Sequence, residues 1–270
     1  MTAPVAPARD ALERVTVLIV TFNSAHCIEA LARGLAGVPN VIVVDNASAD
    51  DTCERVRSLM PAARLISMPA NRGFGAANNA ALAEVATEFA LLLNPDCLTD
   101  TAQIAALVEA MQAWPEATLA VPQLTDASGQ LQVNYSWPRD AWTPTTGEAT
   151  GVLNVGYACA AVMLIRMERL APIGFFDPLF FLYYEDEDLC LRVFQARGQI
   201  LVLPDVRVTH LSRGSVKGER PWLAEYGRGF HHAQSKLLFT WKHAGVDAAR
   251  RQRRRVLASS VLNVLARVLL

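Results

Sequence analysis

Four consecutive acids, Glu185-Asp186-Glu187-Asp188, follow a very apolar stretch from Phe175 to Tyr184. Acids at a helix start face the positive end of the helix dipole, a contact worth about 0.3–1 kcal/mol. Two or three of these acids could do only that. Four exceed what capping needs, and their mutual repulsion raises the proton affinity of some of them. A carboxylate raised in this way in a partly buried turn suits a general base. Asp96 follows an apolar run and the turn Asn94-Pro95. A lone carboxylate there suits a hard divalent cation, Mg²⁺ or Mn²⁺, that also binds phosphates. The alternative role, capping the next helix, is already available to Asp100. His210 precedes Ser212-Arg213-Gly214-Ser215, a loop able to hold phosphate through Arg213 and Ser215. His231, His232 and His243 read as structural.

These groups need a scaffold, and the first third of the chain supplies one. Residues 15–20, 41–44 and 89–93 are nearly continuous apolar runs suited to strands buried on both faces, and 64–67 is a weaker fourth. Helical stretches lie between them at about 25–35, 51–59 and 76–86. The alternation predicts a Rossmann-like, mostly parallel central sheet flanked by helices. Ligands of such sheets sit at the carboxyl ends of the strands. Those ends carry Thr21-Phe22-Asn23-Ser24, Asp45-Asn46-Ala47-Ser48 and Asn94-Pro95-Asp96. Any one of these clusters is an ordinary turn; three together predict a ligand crevice. A dinucleotide fingerprint would need glycines directly after the first strand, and none is there. Gly73-Phe74-Gly75 comes after the third strand instead, with Asn78 where the third glycine would stand. Asp45 can still hydrogen-bond a nucleoside. Further on, a helix is expected over 100–111, a polar and partly mobile segment over 122–151, a helix over 186–197 ended by Gly198, and a strand over 200–203 leading to His210.

The 270 residues are 52% hydrophobic and 19% charged, enough for one large α/β domain. Residues 250–270 hold six arginines and no acid. Setting those six aside from a net charge of −1 leaves −7 for the rest. An acidic body argues against a nucleic-acid partner. Five scattered cysteines without paired spacing suit a reducing, cytoplasmic setting. Residues 1–14, rich in Ala and Pro at their start, are expected to be a disordered lead-in. The main domain then covers 15–245. In the tail, 246–270, Arg250-Arg251-Gln252-Arg253-Arg254-Arg255 precedes fifteen residues, Val256–Leu270, that span roughly 22 Å as a helix, too short for a bilayer core of about 30 Å. Leu257, Val261, Val264, Leu265 and Val268 share one helical face. This pattern predicts an amphipathic helix lying on an anionic membrane surface, or else a helix packed in a homo-oligomer.

Taken in order, these pieces resemble family 2 glycosyltransferases of the GT-A fold, especially the bacterial rhamnosyltransferase-like branch. The resemblance rests on Val17–Ser24, Val43–Ser48, Asn71–Asn78, Leu93–Asp96, Gly174–Asp177, Tyr184–Leu189 and the His210 loop, and spans about 15–215. It implies an inverting hexosyltransferase that moves a sugar from a nucleotide-diphosphate donor to a hydroxyl of a glycan or polyprenyl-linked acceptor in cell-surface polysaccharide synthesis. dTDP-rhamnose is the donor best suited to the branch; UDP-galactofuranose and UDP-N-acetylglucosamine are alternatives, as is a sugar-nucleotide-binding scaffold without turnover. The resemblance assigns Thr21, Asn23 and Asp45 to the nucleoside, and Arg72, Asn78 and Asn94 to the donor pocket. It assigns Asp96 and His210 to the metal or diphosphate, and Asp186 to the base, with Glu185 and Asp188 in support. The first acid of the usual Asp-x-Asp is Asn94 here. A lipid-linked acceptor implies a peripheral protein on the inner face of the cytoplasmic membrane.

Overall fold

A computed structural model describes residues 5–137, 147–211 and 221–269. In chain order, helix α1 (Val5–Glu13) leads into β1 (Val15–Thr21), α2 (Ile28–Gly34), β2 (Val41–Asp45), α3 (Thr52–Leu59), β3 (Arg64–Ser67), α4 (Phe74–Leu82) and β4 (Phe89–Leu93). Short β5 (Cys97–Leu98), α5 (Thr101–Gln112) and long β6 (Ala117–Thr125) follow. Four two-residue strands come next: β7 (Leu131–Gln132), β8 (Tyr135–Ser136), β9 (Leu153–Asn154) and β10 (Tyr157–Ala158). The chain ends with β11 (Val162–Arg166), α6 (Met167–Leu170), α7 (Glu185–Gln195), β12 (Gln199–His210) and α8 (Pro221–Leu269), the last broken at Gly245.

Among the described residues, one ten-stranded sheet runs β3-β2-β1-β4-β11-β6-β12-β5, with β7 and β9 paired at its side. The four expected strands form its parallel half, in the order 3-2-1-4. The nearly continuous apolar sequence of β1, β2 and β4 has a simple cause. Val17, Ile19, Phe89, Leu91 and Leu93 pack into one core layer, while Leu18, Val44, Ala90 and Leu92 pack into the layer on the other face. β11 is antiparallel to both its neighbours, so the sheet is mixed beyond β4.

Two expectations are corrected. Residues 1–14 are not a disordered lead-in where they are described: Val5–Glu13 is helical, and Ala11 and Leu12 are buried against the core. Nor does a loop begin at Pro122. β6 is buried along its whole length and pairs with β12, itself far longer than the expected 200–203. The β6–β12 ladder slips its register between Leu203, opposite Pro122, and Arg207, opposite Gln123. A proline lacks the N–H a regular ladder needs, so it is tolerated at such an irregularity.

Candidate active site

α7 begins with an unusual backbone. Tyr183 (φ 68°) and Tyr184 (φ 66°) both lie in the left-handed region, a conformation that costs about 1–3 kcal/mol for a residue with a side chain and persists only where its surroundings enforce it. The effect is to present the next residues, Glu185 and Asp186, to a cavity of about 300 Å³. Phe74, Asn94, Tyr157, Tyr183, Glu185 and His232 are among its walls. The half-buried Asp186 accepts hydrogen bonds at one carboxylate oxygen from the Tyr157 hydroxyl (3.2 Å) and the Ala160 N–H (3.4 Å). Its other oxygen accepts from the Glu187 N–H at 2.9 Å. Burial pushes the Asp186 carboxyl above the ordinary range, against the pull of those three donors. Burial also holds the Tyr157 phenol strongly protonated, so it serves Asp186 as a fixed donor. The Cys159 thiol beside it is pushed up to about 12 by burial and then by the Asp186 charge.

The neighbouring acids differ sharply from one another. Glu185 is 6% exposed, and its Oε2 has no hydrogen-bond partner. Burial, and secondarily the Asp186 charge, raises its carboxyl well above the usual range. Asp186, by contrast, has three hydrogen-bond donors that favour its charged form. Asp188 is fully buried but richly paired, with Arg192 at 2.9 Å, Lys242 at 2.6 Å and His243 at 2.8 Å. Glu185, Asp186 and Glu187 all line the cavity, and Asp186 is held there by three neutral donors.

The first two strand ends form a second cluster. Thr21 Oγ1 donates to Asp45 Oδ1 at 3.1 Å, and the Ser48 N–H donates to Asp45 Oδ2 at 2.9 Å. The Asn23 N–H donates to Ser48 Oγ at 2.8 Å, and Asn23 Oδ1 accepts from the Ala49 N–H at 2.8 Å. Asn23 and Ala47 take left-handed backbone here (φ 52° and 64°). The two turns are therefore locked to each other before any ligand arrives. Arg72 is exposed at the edge of this cluster, its N–H bonded to Asn46 Oδ1 at 2.9 Å. Asn78 is turned inward: it is 1% exposed and its amide donates to the Phe74 carbonyl one turn back at 3.0 Å. The glycines before it serve packing. A Cβ on Gly73 would stand 2.0 Å from the Phe181 carbonyl oxygen, and one on Gly75 would stand 2.9 Å from the Phe176 Cβ.

The register of β5 against β12 sets His210 opposite Cys97. His210 Nε2 lies 3.6 Å from Asp96 Oδ1, and the Asp96, Cys97 and His210 donor atoms all fall within 4.8 Å. Burial and the Asp96 charge keep the Cys97 thiol protonated, and its sulfur donates to the Ala161 carbonyl at 3.6 Å. A carboxylate and an imidazole remain, an O,N pair that fits Mg²⁺ or Mn²⁺ better than a thiolate-seeking metal. Arg213 and Ser215 lie outside the described residues.

Sequence reasoning missed Tyr157, Tyr183 and His232 as cavity residues. Tyr157 sits in a two-residue strand within a small, apolar run, and no spacing marks it. His232 reaches the cavity from a helix that follows the last sheet strand, a placement that only the tertiary fold reveals.

The chain matches the family model described as glycosyl transferase family 2 over residues 16–169, more than half its length. It is 25% identical over 264 residues to an N-acetylglucosaminyl-diphospho-decaprenol L-rhamnosyltransferase of Mycobacterium tuberculosis, covering 85% of each chain. A low-salt glycan biosynthesis hexosyltransferase of Haloferax volcanii is 26% identical over 194 residues, 67% of this chain and 62% of that one. Among solved structures, a mannosyltransferase from Pyrobaculum calidifontis in complex with GDP-Man and Mn²⁺ superposes with a TM-score of 0.60 at 17% identity, covering 94% of this chain and 80% of that one. TarS 1-349 of S. aureus in complex with UDP-GlcNAc superposes at 0.57 and 18% identity, covering 76% and 60%. At those identities the structures show the fold alone, and it is GT-A. Sheet topology and family match agree, and the chain belongs to glycosyl transferase family 2, in its rhamnosyltransferase-like branch.

Proposed function

We propose that the chain is an inverting, metal-dependent hexosyltransferase. In this reading it moves L-rhamnose from dTDP-rhamnose to a hydroxyl of a glycan or polyprenyl-diphosphate-linked acceptor. The observation that carries the proposal is Asp186: a half-buried carboxylate of raised proton affinity, aimed by Tyr157 and Ala160 into a cavity. The Mycobacterium relative, whose name specifies an L-rhamnosyl transfer to a decaprenyl-linked sugar, supports the choice of donor and acceptor.

The residues divide the work. Thr21, Asn23 and Asp45, with Arg72 beside them, receive the nucleoside, and Asn94 carries the donor site toward the cavity. Asp186 takes the acceptor hydroxyl proton as the acceptor oxygen bonds to the anomeric carbon. The anomeric C–O bond breaks on the opposite face, its electron pair leaves with the nucleoside diphosphate, and configuration inverts. Glu185 lines the cavity beside Asp186 as a supporting acid, and Asp188 anchors the turn. Asp96 and His210 would hold a divalent cation, which when bound neutralises charge on the leaving diphosphate. Arg213 and Ser215 complete the diphosphate side of this reading.

Nucleotide release from a panel of sugar nucleotides, with and without Mg²⁺ or Mn²⁺, tests it. dTDP-rhamnose should turn over with cation and stall with chelator. Asp186→Asn should lose about 10²–10⁴-fold in kcat while still binding nucleotide. Near wild-type turnover by Asp186→Asn ends the base assignment; a UDP-sugar preference overturns the donor.

A further inference from the structure

The helical stretch 221–244, before the break at Gly245 (φ 83°, ψ 174°), contacts the segment 177–188 from His231 to His243. His232, Ser235, Phe239, Lys242 and His243 recur at spacings that place them on one helical face. Ser235 is 2% exposed and its hydroxyl donates to the Leu182 carbonyl at 2.8 Å. The Tyr184 ring lies 5.4 Å from the His232 ring and 5.4 Å from the Phe239 ring. Lys242 Nζ is 2.6 Å from both Asp177 Oδ2 and Asp188 Oδ1, so one ammonium ties the start of the segment 177–184 to the first turn of α7. His243 Nε2 reaches the same Asp188 oxygen at 2.8 Å. On the other side of this segment, the Phe74 N–H donates to the Phe181 carbonyl at 3.0 Å, over the spot where Gly73 has no side chain.

The segment that ends in Tyr183–Tyr184 is therefore gripped from two sides. Its left-handed pair is unfavourable in isolation. The surrounding contacts must supply what the backbone does not, and on the outer side they come from this one helical face. We propose that helix 221–244 is a clamp that sets the direction of Asp186, with Ser235 and Lys242 as positioning residues for the transfer reaction. The proposal rests on the reading of Asp186 as the base. Neither residue touches the reacting atoms. Each acts by fixing the turn from which Asp186 projects, where a misplacement of about 1 Å can cost about 10²-fold in rate.

Full-length Lys242→Met, Lys242→Arg and the milder Ser235→Ala test the clamp with two readouts. The first is amide hydrogen exchange over residues 182–188, with strand β4 as internal reference. The second is nucleotide release, separated into kcat and donor KM, from dTDP-rhamnose or whichever sugar nucleotide the panel selects. Exchange at 182–188 should rise in Lys242→Met and Ser235→Ala while β4 stays protected. Lys242→Met should lose about 10–100-fold in kcat at unchanged donor KM, and Lys242→Arg should recover much of it. Unchanged exchange, or raised exchange with unchanged kcat, overturns the clamp, as does a loss that appears equally in KM and in β4 protection. Asp186→Asn, measured alongside, separates the two readings. Its full activity would remove the base assignment and would leave the exchange result standing.

Discussion

At the scale of single residues, Asp186 is set apart by its partners. Its hydrogen bonds come from two backbone N–H groups and one phenol, all neutral, whereas Asp188 is closed off by Arg192, Lys242 and His243. A base must lose its proton before it can accept one, and burial raises the Asp186 pKa from 3.8. The rate should therefore fall as pH drops through a midpoint above 3.8, with Asp186 charged and active on the alkaline side. Tyr157→Phe deletes a hydrogen bond that favours the charged form, so the midpoint should climb. A pH profile of kcat decides the point. A limb that stays in place in Tyr157→Phe would mean that another group titrates. Spacing alone leaves the four acids of the run undistinguished, and the family resemblance singles out Asp186. Burial sets Glu185 apart and ion pairing sets Asp188 apart, through depth in the fold and through Lys242 and His243 more than 50 positions away, which spacing does not encode.

The elements were legible where a single period governs them. β1, β2 and β4 are buried on both faces and therefore read as unbroken apolar runs. β6 was hidden because Pro122 and Gln123 interrupt the pattern. The proline sits at a ladder irregularity, and the fully buried Gln123 side chain is held through its oxygen, which accepts from the Ala149 N–H at 3.2 Å. The Gly73-Phe74-Gly75 spacing matches part of a dinucleotide fingerprint after the wrong strand, and its use is close approach. Gly73 has φ 88° and carries the Phe181 carbonyl where a Cβ would stand. Gly73→Ala combines a left-handed backbone penalty of about 1–2 kcal/mol with displacement of the segment leading to Asp186. Urea unfolding should show a loss of at least about 2 kcal/mol, and kcat should collapse with it. A variant of unchanged stability and rate would mean that the 177–184 segment has slack which the packing does not show.

The whole molecule places two different surfaces on its last helix. The face carrying Ser235, Phe239 and Lys242 contacts Leu182, Tyr184 and Asp188. The opposite face leaves Tyr226, Phe230 and Trp241 at 72%, 54% and 49% exposure. Past Gly245 the helix resumes with Arg250, Arg251, Arg253, Arg254 and Arg255 and an exposed Leu257. Among the described residues no helix is long and apolar enough to cross a membrane. Aromatic rings beside a block of guanidinium groups suit the headgroup region of an anionic bilayer, which would bring a lipid-linked acceptor to the cavity from the side the clamp occupies. Basic residues near such a surface contribute about 1 kcal/mol each. Replacing all five arginines by Gln in the full chain should therefore weaken binding to phosphatidylglycerol vesicles by more than about 10³-fold. Binding of the unaltered chain should fade as salt shortens the screening length. Turnover with a water-soluble acceptor should survive, because the face from His232 to His243 is untouched. Equal vesicle binding by the two chains, or binding indifferent to lipid charge, would assign the arginines to something other than a membrane, with association between copies of the chain the first alternative to measure.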